Sequence, residues 1–142
     1  MAPPFTHFSE DGKRLESELT NAYAKVLVKQ GCTGIWANGS SGEFAGMSVT
    51  ERMRVLENWM NTAEVRNGEI TVINHVGCNS IEESIELAKH SERLGVMGIA
   101  IAAPSYNKPV NEAEIAQWIH AVAKEVPSTP VYYYHIPKFN GV

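Results

Sequence analysis

Two serines between two glycines, at residues 39–42, are the part of this 142-residue chain best suited to chemistry. They follow a short apolar run, residues 34–37, and precede a helix start signal at Ser48, which predicts a loop leaving a strand. Glycines allow close approach and positive φ, and backbone N–H groups together with the hydroxyls of Ser40 and Ser41 can converge on a pair of anionic oxygens. The pattern predicts a carboxylate or phosphate cradle, with an ordinary Gly/Ser turn as the alternative.

The composition narrows the class of partner. The chain has 12 basic and 16 acidic residues, a net charge of −4, and its basic residues form no run or stripe, which argues against nucleic acid or an anionic membrane. No apolar run approaches the roughly 18 residues of a membrane span, and no leader pattern opens the chain. Cys32 and Cys78 lack metal-ligand spacing. We therefore expect a cytoplasmic protein that binds a small molecule and uses no metal or organic cofactor.

Helical and strand patterns alternate along the chain. Apolar residues recur at three- and four-residue spacing from Leu15 to Leu27, and Ser48 with Glu51 has capping-box spacing. Helices are predicted to begin near residues 14, 49, 81 and 112, and strands to cover residues 34–38, 70–76, 98–103 and 131–135. This is a β/α unit about every 32 residues, which calls for a parallel sheet with right-handed crossovers.

The chain length fits two architectures of this class. An eight-unit barrel needs on the order of 250 residues, and this chain opens on a helix and stops just after a strand, which suggests part of a larger fold. A five-stranded, flavodoxin-like doubly wound sheet has the right length and is the alternative. In either case we expect one domain over residues 1–142.

Three loop motifs carry a family resemblance. They are Gly-Ser-Ser-Gly-Glu at residues 39–43, Ala-Pro-Ser-Tyr-Asn-Lys-Pro at residues 103–109 and Tyr-Tyr-Tyr-His-Ile-Pro at residues 132–137. In this order and spacing, and with Phe5-Thr6 near the end of a first strand, the chain resembles the N-acetylneuraminate lyase and dihydrodipicolinate synthase family of class I aldolases. The resemblance covers nearly the whole chain and implies a (β/α)₈ TIM barrel, here a truncated part of roughly units 1 to 5.

The resemblance also implies roles for individual residues. Ser40 and Ser41 would bind the carboxylate of a 2-oxo acid, whose keto carbon forms a Schiff base with a lysine. Tyr134 would be catalytic, taking the proton of the substrate's C4 hydroxyl as the C3–C4 bond breaks, and Tyr106 would be a second catalytic residue in a proton relay. The residues expected to support the loop are Gly39, Gly42 and Glu43.

One position distinguishes the branches of the family. Synthases carry an arginine two residues after the proline of the tyrosine motif, whereas here Pro137 is followed by Lys138 and Phe139. A phenylalanine cannot form the bidentate contact to a second carboxylate, so the resemblance favours the lyase branch, which cleaves sialic acid to N-acetylmannosamine and pyruvate. The alternatives are a synthase-like aldolase that uses Lys138 and a non-catalytic α/β domain that binds a small molecule.

The resemblance places the Schiff-base lysine on a sixth strand beyond Val142. Lys108 belongs to a loop motif, Lys124 to a helix and Lys138 to the loop after the last strand, so none takes its place. We therefore expect the chain to be inactive alone. The family resemblance further implies a homo-oligomer, a tetramer in full-length members.

Overall fold

Short strands alternate with helices in the computed structural model, which describes all of residues 1–142. In chain order the elements are α1 (Glu18–Lys29), β1 (Gly34–Ala37), a 3₁₀ turn (Phe44–Gly46), α2 (Val49–Met60), α3 (Ala63–Arg66), β2 (Thr71–His75), α4 (Ile81–Leu94), β3 (Gly98–Ile101), α5 (Glu112–Ala123), β4 (Val131–Tyr133) and α6 (Pro137–Asn140). The chain divides into two compact units, Met1–Asn74 and His75–Val142. The expectation of one domain over the whole length stays a prediction.

Parallel pairing of β1 with β2 organises the first unit. The register runs from Gly34 opposite Thr71 to Ala37 opposite Asn74. Ala2 forms an isolated parallel bridge to Ile35 on β1, so strand-like pairing begins at Ala2. Helix α1 packs on α2 and α3, and the buried apolar side chains of this unit include Ile35, Leu56, Trp59 and Ile70.

The start of α2 follows the predicted capping box. The Ser48 side chain accepts a hydrogen bond from the Glu51 backbone N–H, and the Glu51 carboxylate accepts one from the Ser48 backbone N–H at 2.8 Å. Helix α2 ends at Met60. Thr62 then caps a separate helix, α3, by accepting from the Val65 N–H, which breaks the helical register.

The second unit also contains a parallel strand pair with helices packed beside it. Strands β3 and β4 pair in parallel, from Ile99 opposite Val131 to Ile101 opposite Tyr133, and α4 packs on both α5 and β3. Helix α4 ends at Leu94, just before Gly95, as predicted. Gly95 has a φ of 72°, a left-handed conformation that favours glycine. All four residues of β3 are buried.

The strands of the second unit are shorter than predicted. β3 ends at Ile101 before Pro104, and β4 ends at Tyr133. Tyr134 lies one residue past β4, although its N–H still donates to the Ile101 carbonyl at 2.8 Å. No helix in either unit combines the length and apolar character needed to cross a membrane.

The Ser48–Glu51 cap gives a test of this fold. Hydrogen bonds from the Ser48 backbone N–H and hydroxyl lower the pKa of the Glu51 carboxyl. A carboxyl with a lowered folded-state pKa stabilises the fold above its unfolded pKa, and this contribution is lost as pH falls through the folded pKa. We expect Ser48→Ala to lower the free energy of unfolding by about 1 kcal/mol at pH 7, measured by urea denaturation.

The same loss should shrink at acidic pH, because protonated Glu51 no longer makes the charged half of the cap. Glu51→Gln is the matched control, since it keeps the side-chain length and removes the titration. An equal loss for Ser48→Ala at neutral and acidic pH would contradict the coupling.

Candidate functional site

The serine loop, defined as residues 39–43, leaves the end of β1 in the first unit. Tight turns shape it, since the Gly42 N–H donates to the Gly39 carbonyl and the Glu43 N–H to the Ser40 carbonyl, both at 3.1 Å. Ser40 is exposed and Ser41 half-buried. The backbone N–H groups of these two serines take no part in the turn hydrogen bonds. Two adjacent N–H groups and two hydroxyls are therefore available to an anionic ligand.

Glycine is needed at positions 39 and 42 because neighbouring atoms lie too close for a side chain, not because φ is positive. A Cβ on Gly39 would lie 3.0 Å from Cδ1 of Trp36, and one on Gly42 would lie 3.3 Å from the Pro4 carbonyl oxygen. Neither glycine has a positive φ; Asn38 (φ 54°) and Glu43 (φ 60°) take the left-handed conformations. Left-handed residues therefore flank the loop.

Asn38 joins the start of the loop to the interior of the first unit. Its side chain is 1% exposed, and its Nδ2 donates to the Asn74 Oδ1 at 2.8 Å and to the Arg52 carbonyl at 3.0 Å. Asn74 lies near the end of β2, opposite Ala37, which is the last residue of β1. Asparagine tolerates the left-handed region better than most residues, so one side chain sets the direction of the loop and ties it to β2 and α2.

Two further contacts hold the loop and the 3₁₀ turn that follows it. The Thr6 hydroxyl donates to the Gly42 carbonyl at 2.7 Å. The guanidinium of Arg52, a residue only 2% exposed, lies over the Phe44 ring with its Cζ 5.3 Å from the ring centroid. This is a cation–π contact, and it fixes the exit of the loop on α2.

Sequence reasoning missed Asn38, Asn74 and Arg52. Asparagine directly before a glycine at a strand end was an available signal for Asn38, since this residue type favours left-handed turns. A buried arginine had no such signal, because arginine is mostly exposed in proteins. Glu43 is exposed and contributes to the loop through its backbone, donating to Ser40 and accepting from Gly46. Its role as a supporting residue stays a prediction.

Tyr134, the predicted catalytic tyrosine, lies in the second unit at the end of β4. It is half-buried, and its ring packs edge to face against His75, with 5.7 Å between centroids and an interplanar angle of 82°. Tyr133 is used differently, since its hydroxyl accepts from the Asn140 Nδ2 at 3.3 Å. Tyr134 therefore packs its ring against the buried His75, whereas Tyr133 uses its hydroxyl.

Tyr106 lies on an exposed loop of the second unit. Its side chain is 85% exposed, and the loop is held by Asn79, whose Oδ1 accepts from the N–H groups of Ser105 and Tyr106, both at 3.0 Å. The anchoring is therefore at the backbone, and the ring itself projects into solvent. A catalytic role for Tyr106 stays a prediction.

Comparisons with known proteins identify the relatives of this chain. The sequence profile of the Dihydrodipicolinate synthetase family matches residues 1–142. The N-acetylneuraminate lyase of Gallus gallus is 38% identical over all of this chain, which covers 46% of that protein. A catalytic-lysine mutant of the Ruminococcus gnavus sialic acid aldolase superposes with a TM-score of 0.89 at 39% identity, over 100% of this chain and 45% of its own.

A third relative is a solved structure with a bound ligand. YagE of E. coli K12, a prophage protein of the dihydrodipicolinic acid synthase family in complex with pyruvate, superposes with a TM-score of 0.87 at 32% identity over 99% of this chain and 45% of its own. The chain thus spans about half the length of the relatives that it matches. The likeness to these enzymes places it in the TIM-barrel class and sets aside the flavodoxin-like alternative.

The Asn38 contacts give a prediction about the stability of the loop. Asn38→Gly keeps the left-handed backbone but removes the donor to Asn74 and Arg52, and should lower the free energy of unfolding by about 1–3 kcal/mol. Asn38→Ala should lose about 1 kcal/mol more, because alanine is strained at this φ. Chemical denaturation of both variants measures the two effects separately.

Glu43→Gly is the matched control for these variants. Glu43 is the other left-handed residue, is exposed, and should change the free energy of unfolding by less than about 0.5 kcal/mol when replaced by glycine. Equal stabilities for the glycine and alanine variants at position 38 would contradict the strain argument.

Proposed function

The chain belongs to the dihydrodipicolinate synthetase family, and on that premise we propose that it is part of an N-acetylneuraminate lyase. The reaction is the retro-aldol cleavage of sialic acid to N-acetylmannosamine and pyruvate through a Schiff base. Support comes from relatives named N-acetylneuraminate lyase and sialic acid aldolase, matched over the whole of this chain. The pyruvate complex of a further relative supports a 2-oxo acid as the bound group.

The serine loop carries this proposal. Ser40 and Ser41 present adjacent N–H groups and hydroxyls that are not used in the turns of the loop, and a carboxylate accepts such donors with strong, charge-assisted hydrogen bonds. Gly39 and Gly42 let the Trp36 side chain and the Pro4 backbone pack closely against the loop. We assign the loop to the carboxylate of sialic acid and of the product pyruvate.

Tyr134 is assigned the proton transfer. As the C3–C4 bond breaks, its electrons move toward the Schiff-base carbon, and the C4 hydroxyl must lose a proton to become the aldehyde of N-acetylmannosamine. The phenolic oxygen of Tyr134 takes that proton as its own phenolic proton passes to the substrate carboxylate, because a neutral phenol is a weak base by itself. Tyr106 is retained as a candidate second member of the proton relay.

The position of Phe139 supports the lyase over the synthase reaction. Phe139 is 52% exposed and apolar, and it occupies the place where the resemblance expects the synthase arginine. Its neighbour Lys138 is also exposed, on the short helix α6. A lysine offers a single point charge, not the planar fork that binds a carboxylate with two parallel hydrogen bonds.

The Schiff-base lysine is assigned to a part of the protein outside these residues. A lysine that acts as a nucleophile needs a low pKa, which a desolvated pocket supplies, and every lysine of this chain is exposed. The R. gnavus relative, of which this chain covers 45%, was solved as a catalytic-lysine mutant. We infer that the 142 residues alone do not cleave sialic acid, and that the complete enzyme is a cytoplasmic homotetramer.

Trapping of the Schiff base tests the reaction class. We would treat this chain, and the longest product of its gene, with labelled pyruvate and sodium borohydride, and locate the label by mass spectrometry. We expect a reduced pyruvate adduct on one lysine of the longer product and none on the 142-residue chain. An adduct on Lys108, Lys124 or Lys138 would refute the assignment of the lysine, and no adduct on either protein would refute the aldolase.

Serine variants test the carboxylate assignment. In the longest gene product, Ser40→Ala and Ser41→Ala each remove one hydroxyl donor to a charged group and should weaken the affinity for pyruvate about tenfold. Isothermal titration measures this affinity. Ser128→Ala, at an exposed serine of the loop before β4, is the matched control and should bind pyruvate as the wild type does. Unchanged affinity in both loop variants would exclude the serine loop as the carboxylate site.

A further inference from the structure

His75 is a buried polar residue whose ring packs against the ring of Tyr134. It is the last residue of β2, its side chain is fully buried at 0% exposure, and it is polar. Its ring meets the Tyr134 ring edge to face, 5.7 Å between centroids. Both residues belong to the second unit. A buried polar ring therefore rests on the side chain that we assign to proton transfer.

The two rings reach each other across β3. The Val76 N–H donates to the Ala100 carbonyl, and the Tyr134 N–H donates to the Ile101 carbonyl, both at 2.8 Å. The backbones on the two sides of β3 are thus separated by about twice the 4.8 Å strand spacing, yet the ring centroids are only 5.7 Å apart. The side chains must lean toward each other over the middle strand.

Small residues on one face of β3 allow this approach. Gly98 and Ala100 lie on the same face as Tyr132, since Ala100 is in register with it. The Tyr132 ring already leans onto Gly98, where a Cβ would lie 2.6 Å from its Cε2. By the same alternation Tyr134 belongs to this face. Its ring can lean inward because no large side chain on β3 opposes it.

The His75 ring is also confined by the backbone of Gly77. A Cβ on Gly77 would lie 2.8 Å from the His75 Nε2 and 2.9 Å from the Ala102 N. The Gly77 backbone therefore passes directly beside the imidazole, and no side chain other than hydrogen fits there. The close Gly77 backbone therefore limits the positions open to the His75 ring.

We propose that His75 is a positioning residue that holds the Tyr134 ring, and hence its phenolic oxygen, in the place required for proton transfer. This inference rests on the proposed role of Tyr134. Proton transfer needs heavy atoms about 2.6–3.2 Å apart, and a misplacement of 1 Å can lower a rate by about 10²-fold. A half-buried tyrosine past the end of its strand needs such lateral support, and edge-to-face aromatic contact supplies it with a preferred geometry.

Two substitutions in the longest gene product test the inference. His75→Ala removes the ring and should lower kcat for sialic acid cleavage by about 10- to 100-fold, with KM changed less than about twofold. His75→Phe keeps a planar ring against Tyr134 and should restore kcat to within about threefold of the wild type. Circular dichroism and thermal melting establish that both variants are folded.

His90→Ala is the matched control. His90 is also a buried histidine of the second unit, 9% exposed, but it lies on α4. If loss of kcat merely reflects loss of a buried histidine, the two alanine variants will behave alike, and the inference is overturned. A folded His75→Phe variant as slow as His75→Ala overturns it as well.

A second readout does not depend on catalysis. With ¹³C-labelled tyrosine, we expect His75→Ala to shift the Tyr134 ring resonances and increase the ring's motion, and His75→Phe to reverse the increase. An unchanged Tyr134 signal in His75→Ala would overturn the positioning role even in an inactive protein. If the ring responds as expected but sialic acid is not cleaved, the proposed function fails and the contact stands.

Discussion

The hydrogen bond between the Asn38 Nδ2 and the Asn74 Oδ1 is the contact on which the first unit's loop depends. It joins the ends of two parallel strands at 2.8 Å, in a place where both side chains are almost fully buried. A donor and an acceptor buried together avoid the desolvation penalty that each would suffer alone. The backbone of Asn38 also takes a left-handed conformation. The same residue therefore links the strand ends and directs the chain into the serine loop.

In the second unit the site is supported by close side-chain packing, whereas in the first unit it is supported by a buried hydrogen bond. Gly98 and Ala100 on one face of β3 leave space for the Tyr132 ring of β4, which lies close to Gly98. His75 completes this layer from the side of β2, against Tyr134. In each unit, therefore, the residue assigned to chemistry follows a strand and is supported by buried neighbours that do not themselves carry the chemistry.

The separation between residues assigned to chemistry and residues that support them fits the reaction proposed for the complete enzyme. Carboxylate binding needs donors that stay uncommitted until the substrate arrives, and the serine loop provides them on a backbone braced by Thr6 and Arg52. Proton transfer needs one oxygen held within a few tenths of an ångström, which is a matter of packing. Schiff-base formation needs a lysine in a desolvated pocket, and the exposed lysines of this chain do not meet that condition.

The alternation of strands and helices, the cap at Ser48 and the family could be predicted from the sequence, because they depend on periodicity, local hydrogen bonds and contiguous motifs. The residues that support the site could not be predicted, because they come from segments far apart in the sequence. Asn38 and Asn74 are 36 positions apart in the sequence. His75 and Tyr134 come into contact only because the strands pair. What excludes a side chain at Gly39 and Gly42 is likewise the approach of Trp36 and Pro4 in space, which no local sequence pattern shows.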